Sequence, residues 1–141
     1  MGMTIHVDIV SAEKQIFSGR AELVVATTIA GEIGILPRHA PLLTSLKPGQ
    51  IRLTLLDNKE EIYYVSGGLL EVQPHTVTIL ADTVERAGDL DEAAAIHAQE
   101  AAEKAMASRS GEFEYAKAAA ELAEAVARVQ AIKQMRKKFK G

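Results

Sequence analysis

The chain has 141 residues and a mass of 15.2 kDa, which is one domain or one domain with an appendage. Hydrophobic residues make up 48% and charged residues 25%, a globular balance that excludes wholesale disorder. Cysteine is absent, which excludes disulfides, thiolate metal sites and thiol nucleophiles; 4% aromatics and a net charge of −3 argue against a nucleic-acid binder.

The first residues, Met1-Gly2-Met3-Thr4-Ile5-His6, lack the basic region and apolar stretch of a secretory signal. His6 stands where a myristoylation motif requires Ser or Thr. No segment approaches the ~18 apolar residues of a membrane-spanning helix, so a soluble, reducing compartment is expected. Thr4 to Val10 then alternates polar and apolar residues, the period of a half-buried strand. Ala21 to Thr28 is rich in Val and Thr. Gly31-Glu32-Ile33-Gly34 lacks the spacing of a dinucleotide fingerprint and the Lys-Ser/Thr of a phosphate loop, so it reads as a hairpin. Ile51 to Leu55 alternates again before a turn at Asp57-Asn58-Lys59. Ile62-Tyr63-Tyr64-Val65 and Leu69-Leu70-Glu71-Val72 flank Ser66-Gly67-Gly68, which reads as a strand corner. Thr76 to Leu80 follows a turn at Pro74-His75. Short strands with frequent turn signals predict an antiparallel sandwich or barrel. No long helical pattern separates them, which argues against a parallel sheet with crossovers.

The composition changes near Gly88. Residues 88–141 contain no proline, sixteen alanines, and glycine only at 88, 111 and 141, which permits long helices. Asp89 with Glu92 has the spacing of a capping box, and Leu90 to Ala107 reads as a first helix. Ser108-Arg109-Ser110-Gly111 breaks it, and Glu112 and Glu114 open a second. There Leu122, Val126, Val129, Ile132, Met135 and Phe139 share one face. The matching surface of the first helix is expected at Ala94, Ala98, Ala101 and Ala105. The short connection makes the helices antiparallel neighbours. The expected fold class is α+β: an N-terminal antiparallel β-sandwich (residues 1–87) followed by a C-terminal antiparallel two-helix hairpin (residues 88–141). Alanine in place of leucine forfeits about 1–2 kcal/mol at each contact, so the hairpin is expected to be weakly held, docked on the sandwich or lifted from it.

No catalytic constellation is legible. His6, His39, His75 and His97 fall in four separate elements with no metal-ligand spacing, so no metal is expected. Neither a GxSxG elbow nor an SxxK pair occurs. Capping explains Asp89, Asp91 and Glu92, and Glu60-Glu61 reads as solvated beside a turn. The sharpest feature is electrostatic. Asp89 to Glu124 carries nine acidic and three basic residues, whereas Ala125 to Gly141 carries Arg128, Lys133, Arg136, Lys137, Lys138 and Lys140 and no acid. Six cations exceed what a helix dipole requires, which points to an acidic partner surface.

The order and spacing of Gly31-Glu32-Ile33-Gly34-Ile35-Leu36-Pro37-Arg38-His39-Ala40-Pro41-Leu42-Leu43-Thr44, Lys47-Pro48-Gly49, Tyr64-Val65-Ser66-Gly67-Gly68-Leu69-Leu70-Glu71-Val72, Ile79-Leu80-Ala81-Asp82 and Asp89-Leu90-Asp91-Glu92-Ala93 resemble the epsilon subunit of bacterial F-type ATP synthase along essentially the whole chain. The resemblance implies a ten-stranded sandwich followed by two helices. It implies a non-catalytic rotor-stalk subunit on the cytoplasmic face of the bacterial inner membrane, with the gamma subunit, the c-subunit ring and the alpha and beta subunits as partners and no cofactor of its own. It places Gly31, Glu32, Ile33 and Gly34 toward the c ring and His39 toward gamma. Arg128, Lys133, Arg136, Lys137 and Lys138 would meet acidic segments of the catalytic head when the hairpin extends and restrains ATP hydrolysis. Some relatives bind ATP through an Ile/Leu-Asp-x-x-Arg-Ala motif. Here Leu90 and Asp91 remain, but Ala94 occupies the arginine position, so weak or absent ATP binding is expected. The competing readings are a nucleotide sensor and an anionic-surface adaptor using the basic helical tip.

Overall fold

The computed structural model describes residues 3–107 and 112–140, the side chains of 112, 113 and 138–140 excepted. Met1-Gly2, the expected break at Ser108-Arg109-Ser110-Gly111, and the side chains of Lys138 and Phe139 lie outside the described residues. Eight strands precede two helices: β1 (Ile5–Ser11), β2 (Gln15–Thr28), β3 (Gly31–Ile35), β4 (Leu42–Leu55), β5 (Glu60–Val65), β6 (Gly68–Val72), β7 (Thr76–Ala81), β8 (Val84–Arg86), α1 (Glu92–Ala107) and α2 (Glu112–Lys140).

The strands run in the order β3-β2-β1-β7-β6-β4-β5-β8, and β2 also pairs with β4, which closes the sheet on itself as a flattened barrel. The ten strands implied by the resemblance are eight here because β2 and β4, at 14 residues each, run through both layers. All neighbours are antiparallel except β1 and β7, which pair in parallel from His6↔Thr76 to Ser11↔Ala81. No crossover helix makes that pair. It forms because the chain passes through both layers before returning beside β1.

Register explains the corner at Ser66-Gly67. Gly49 pairs with Val65 and Leu46 with Gly68, so β5 and β6 follow β4 as one interrupted strand. Tyr63 pairs with Arg86 and Gly68 with Ala81, so β7 and β8 do the same against β5 and β6. A three-stranded ribbon is therefore folded double along one crease: Lys47-Pro48, Ser66-Gly67 and Asp82-Thr83. Backbone hydrogen bonds from Ser66 N–H to Thr83 and from Asp82 N–H to Gly67, at 3.1 and 3.0 Å, knit the crease. The expected turn at Asp57-Asn58 is present, with both residues at positive φ.

The core lies between the layers and contains Ile5, Val7, Ile9, Val24, Ile35, Ile51, Leu53, Leu70, Val77 and Ile79, all fully buried. The alternation in β1, β4 and β7 places these side chains inward. In β5, Ile62, Tyr63, Tyr64 and Val65 are all buried. Tyr63 and Val65 join the core, whereas Ile62 and Tyr64 face outward and are covered by Ala127 and Ala131 of α2. A strand covered on both faces reads as a continuous apolar run.

The helices pack antiparallel and α2 lies on the sandwich. Asp91, not Asp89, caps α1: its carboxylate accepts from Ala94 N–H at 3.2 Å and its carbonyl from Ala95 N–H at 2.9 Å. Asp89 ends a short 3-10 turn, Ala87–Asp89. The face of α1 that packs is the one with Ala95, which joins Leu90 against Val129 and Ile132 of α2; Ala95 and Ala102 are its buried alanines, while Ala94, Ala98, Ala101 and Ala105 are exposed. On α2 the expected face holds: Val129 and Ile132 are buried, with Leu122, Val126 and Met135 half-buried.

Candidate docking surfaces

Three surfaces carry the residues that the sequence singles out. The first is the tip of β2–β3. Thr28 is buried, and its hydroxyl donates to the Gly31 carbonyl at 2.7 Å and accepts from Ala30 N–H at 3.1 Å, which shapes the turn. Gly31 sits at φ +112°, a conformation that glycine adopts without steric penalty. Glu32 is exposed and paired with Arg52 at 3.1 Å. Ile33 packs on the core and Gly34 is exposed. The tip presents Ile29, 62% exposed, beside the Glu32–Arg52 pair. Because β3 is at a sheet edge, this surface carries both side chains and unpaired backbone groups.

The second surface is the outer face of β1, β7, β6 and the start of β4. Leu69 and Leu80 are directly opposed across β6 and β7, and Leu80 pairs with Val10 on its other side. Leu43 lies one diagonal step from Leu69, since Ser45 is Leu69's partner. Leu43, Leu69 and Leu80 are 68%, 45% and 50% exposed. Contiguous exposed leucines rimmed by polar groups mark a protein-docking surface. The polar side of the same face holds Asp8, which accepts from Ser18 Oγ at 2.7 Å. That bond, with His6 beside it, holds the Asp8 carboxyl below the usual carboxylate range. At one corner His39 is half-buried, its Nδ1 2.7 Å from the Ala40 carbonyl oxygen. Nothing in composition or motif singled out the leucine patch; the strand register makes it visible.

Arg38 beside His39 has φ +68°, and its N–H donates to the Pro74 carbonyl at 2.9 Å. An L-residue with a large side chain is strained there. Arg38→Gly is expected to stabilise the isolated chain by about 0.5–1 kcal/mol, the relief of that strain less the entropy glycine adds to the unfolded chain. A rise in the urea midpoint at constant m-value checks it.

The third surface is the basic end of α2. In the docked arrangement its arginines are already engaged. Arg128 stacks on the Tyr64 ring, 4.7 Å from the centroid. Arg136 makes a bidentate pair with Glu92 at the start of α1. Lys133 and Lys137 are exposed. Of the ATP-motif positions, Leu90 packs among Ala95, Val129 and Ile132, Asp91 is the helix cap, and Ala94 is exposed. The first two therefore have structural work of their own, and no guanidinium stands at the third.

Tyr64 is the unusual residue at this interface. It is fully buried, and its hydroxyl finds no hydrogen-bond partner among the described residues. Burial, set against the nearby Arg128 charge, pushes the phenol up to about 12. Neighbouring Tyr63 differs: its hydroxyl donates to Glu61 at 2.5 Å, and Arg86 lies 5.6 Å from its ring centroid. Among the described residues no cluster of three His, Asp or Glu side chains could hold a metal ion, and no helix is long and apolar enough to cross a membrane.

Residues 4–87 match the family model of the ATP synthase delta/epsilon chain beta-sandwich domain, and residues 89–133 match that of its long alpha-helix domain. The ATP synthase epsilon chain of Nitrosococcus oceani is 58% identical over 139 residues, covering 99% of both chains. That of Legionella pneumophila strain Lens is 62% identical over 140 residues, covering 99% of this chain and 100% of its own. A chain in the cryo-EM structure of the Euglena gracilis mitochondrial ATP synthase OSCP/F1/c-ring superposes with a TM-score of 0.84 at 21% identity, over 92% of this chain and 81% of that one. A chain in the Tetrahymena thermophila ATP synthase central stalk/c-ring gives 0.66 at 13% identity, over 93% and 98%. Those two likenesses speak for the fold, and the curated relatives and family models speak for descent: the chain belongs to the ATP synthase delta/epsilon family.

Proposed function

We propose that this chain is a non-catalytic central-stalk subunit of an F-type ATP synthase, with residues 1–87 as the anchoring sandwich and 88–141 as a regulatory hairpin. Identity of 58–62% to epsilon chains over 99% of this chain carries the assignment to the stalk. The subunit is a peripheral part of a membrane-bound complex, and we place it on the cytoplasmic face of the bacterial inner membrane. Its partners are the gamma subunit, the c ring and the alpha and beta subunits.

The three surfaces divide this work. The leucine face, with His39 at its corner, suits the gamma subunit because it is apolar and built on rigid strands. The Gly31–Gly34 tip suits the polar loops of the c ring. Its Glu32 is already paired with Arg52, so that contact is read as a shared ion-pair network weakened by salt. The basic end of α2 suits acidic segments of the catalytic head. Arg128 and Arg136 reach those segments only after giving up Tyr64 and Glu92, so restraint of hydrolysis is a population shift between two hairpin arrangements.

The test adds the full chain, or a 1–88 truncation, to a catalytic head lacking this subunit and follows ATP hydrolysis. Both are expected to bind and only the full chain to slow hydrolysis. Binding of both without inhibition by either refutes the regulatory role of the hairpin. Failure of both to bind refutes the stalk assignment.

A further inference from the structure

The docked hairpin rests on an interface that holds and opposes itself at one residue. Tyr64 lies fully buried on the outward face of β5, between the sandwich and α2. Its ring receives Arg128 at 4.7 Å, a contact that fastens α2. Its hydroxyl, in the same place, has no hydrogen-bond partner among the described residues. A buried hydroxyl without a hydrogen bond forfeits its hydration for nothing in return. Lifting α2 restores water to it. The remaining cover is thin, since α2 presents Ala127 and Ala131 over Ile62 and Tyr64.

We infer that Tyr64 sets the release of the hairpin: its ring and Arg128 secure the docked arrangement, while its unpartnered hydroxyl keeps that arrangement close in free energy to the lifted one. This rests on reading the hairpin as the element that restrains hydrolysis, and it assigns the regulation to one side chain. The direction is unusual. Deleting a polar group should lock the regulatory element away. Tyr64→Phe keeps the ring and the cation–π contact and removes only the hydroxyl, so the ratio of docked to lifted hairpin should rise about tenfold. Tyr64→Leu removes both, so its ratio should fall several-fold below that of Tyr64→Phe.

The chain has no cysteine, so a Lys59→Cys, Gln130→Cys pair takes two spin labels cleanly; both positions are exposed, one on the sandwich and one on α2, and neither belongs to the basic end. Pulsed electron paramagnetic resonance then reads docked and lifted distances in the full chain, free and bound to the catalytic head. The expected order of docked fraction is Tyr64→Phe, then native, with Arg128→Gln several-fold below native. Arg128→Gln also serves as the deciding measurement if Tyr64→Phe does not fold. An unchanged or more lifted Tyr64→Phe overturns the inference, as does an unchanged Arg128→Gln or one distance population under every condition. Hydrolysis measured on the same samples separates the two readings. A shift in distance without a shift in hydrolysis upholds the role of Tyr64 and refutes hairpin restraint.

Discussion

Leu80→Asp should weaken attachment to the rest of the stalk by a hundredfold or more while leaving the isolated chain folded. The side chain is 50% exposed, so the free subunit should lose about 1–2 kcal/mol, from half a leucine's burial and aspartate's poor fit in a strand, and remain folded. Leu80 sits between Leu69 on β6 and Val10 on β1, at the middle of the only run of neighbouring leucines described on that face. A partner covering this patch would bury the new carboxylate without a counter-ion, and several kcal/mol follow from such desolvation. A hundredfold is about 2.7 kcal/mol, so the effect should be plain in a titration of gamma-containing stalk. Leu69→Asp should act alike. Unchanged affinity in both variants would remove the leucine face from the interface and leave the Gly31–Gly34 tip and the His39 corner to account for it.

Gly68→Ala should cost the sandwich more than about 3 kcal/mol, a large part of the 5–15 kcal/mol that holds a domain of this size together. Two causes act together. Gly68 has φ +138°, which an L-residue rarely adopts. An added Cβ would also stand 2.1 Å from the Leu80 carbonyl oxygen, a backbone atom that cannot swing aside. Relief requires β6 to part from β7 at the crease, where Gly68 pairs with Ala81. The loss should appear as a lowered urea midpoint or as failure to accumulate folded protein. At Gly31 an added Cβ meets nothing within 4 Å, so Gly31→Ala carries the φ strain alone and should be milder, about 1 kcal/mol.

The strands were legible because their inward residues are spaced by two and their turns carry Gly, Pro, Asn and Asp. The run Ile62-Tyr63-Tyr64-Val65 breaks that alternation, and its meaning is tertiary: a second cover, α2, lies on the outer side. The helices were legible from their alanines and missing prolines, but not their rotation. Alanine appears on every side of α1, so its pattern does not choose between Ala94-Ala98-Ala101-Ala105 and the face with Ala95 and Ala102. What chooses is tertiary packing: Ala95 and Leu90 meet Val129 and Ile132 of α2. The leucine face depended on pairing between strands distant in sequence, which spacing within one strand does not reveal. The engagement of Arg128 and Arg136 was hidden for the same reason: Tyr64 and Glu92 are remote from them along the chain.

The crease has a mechanical consequence. In a sandwich of two separate sheets, the layers slide on one another against side-chain contacts alone. Here β4, the β5–β6 strand and the β7–β8 strand cross from one layer to the other through unbroken backbone, side by side. Sideways load on one layer is therefore carried into the other by covalent bonds in three adjacent antiparallel strands, with hydrogen bonds at Ser66 and Asp82 tying them together. Such a body is stiff in shear. In the stalk position proposed above, such a body would transmit torque through its sandwich whatever the arrangement of its helices.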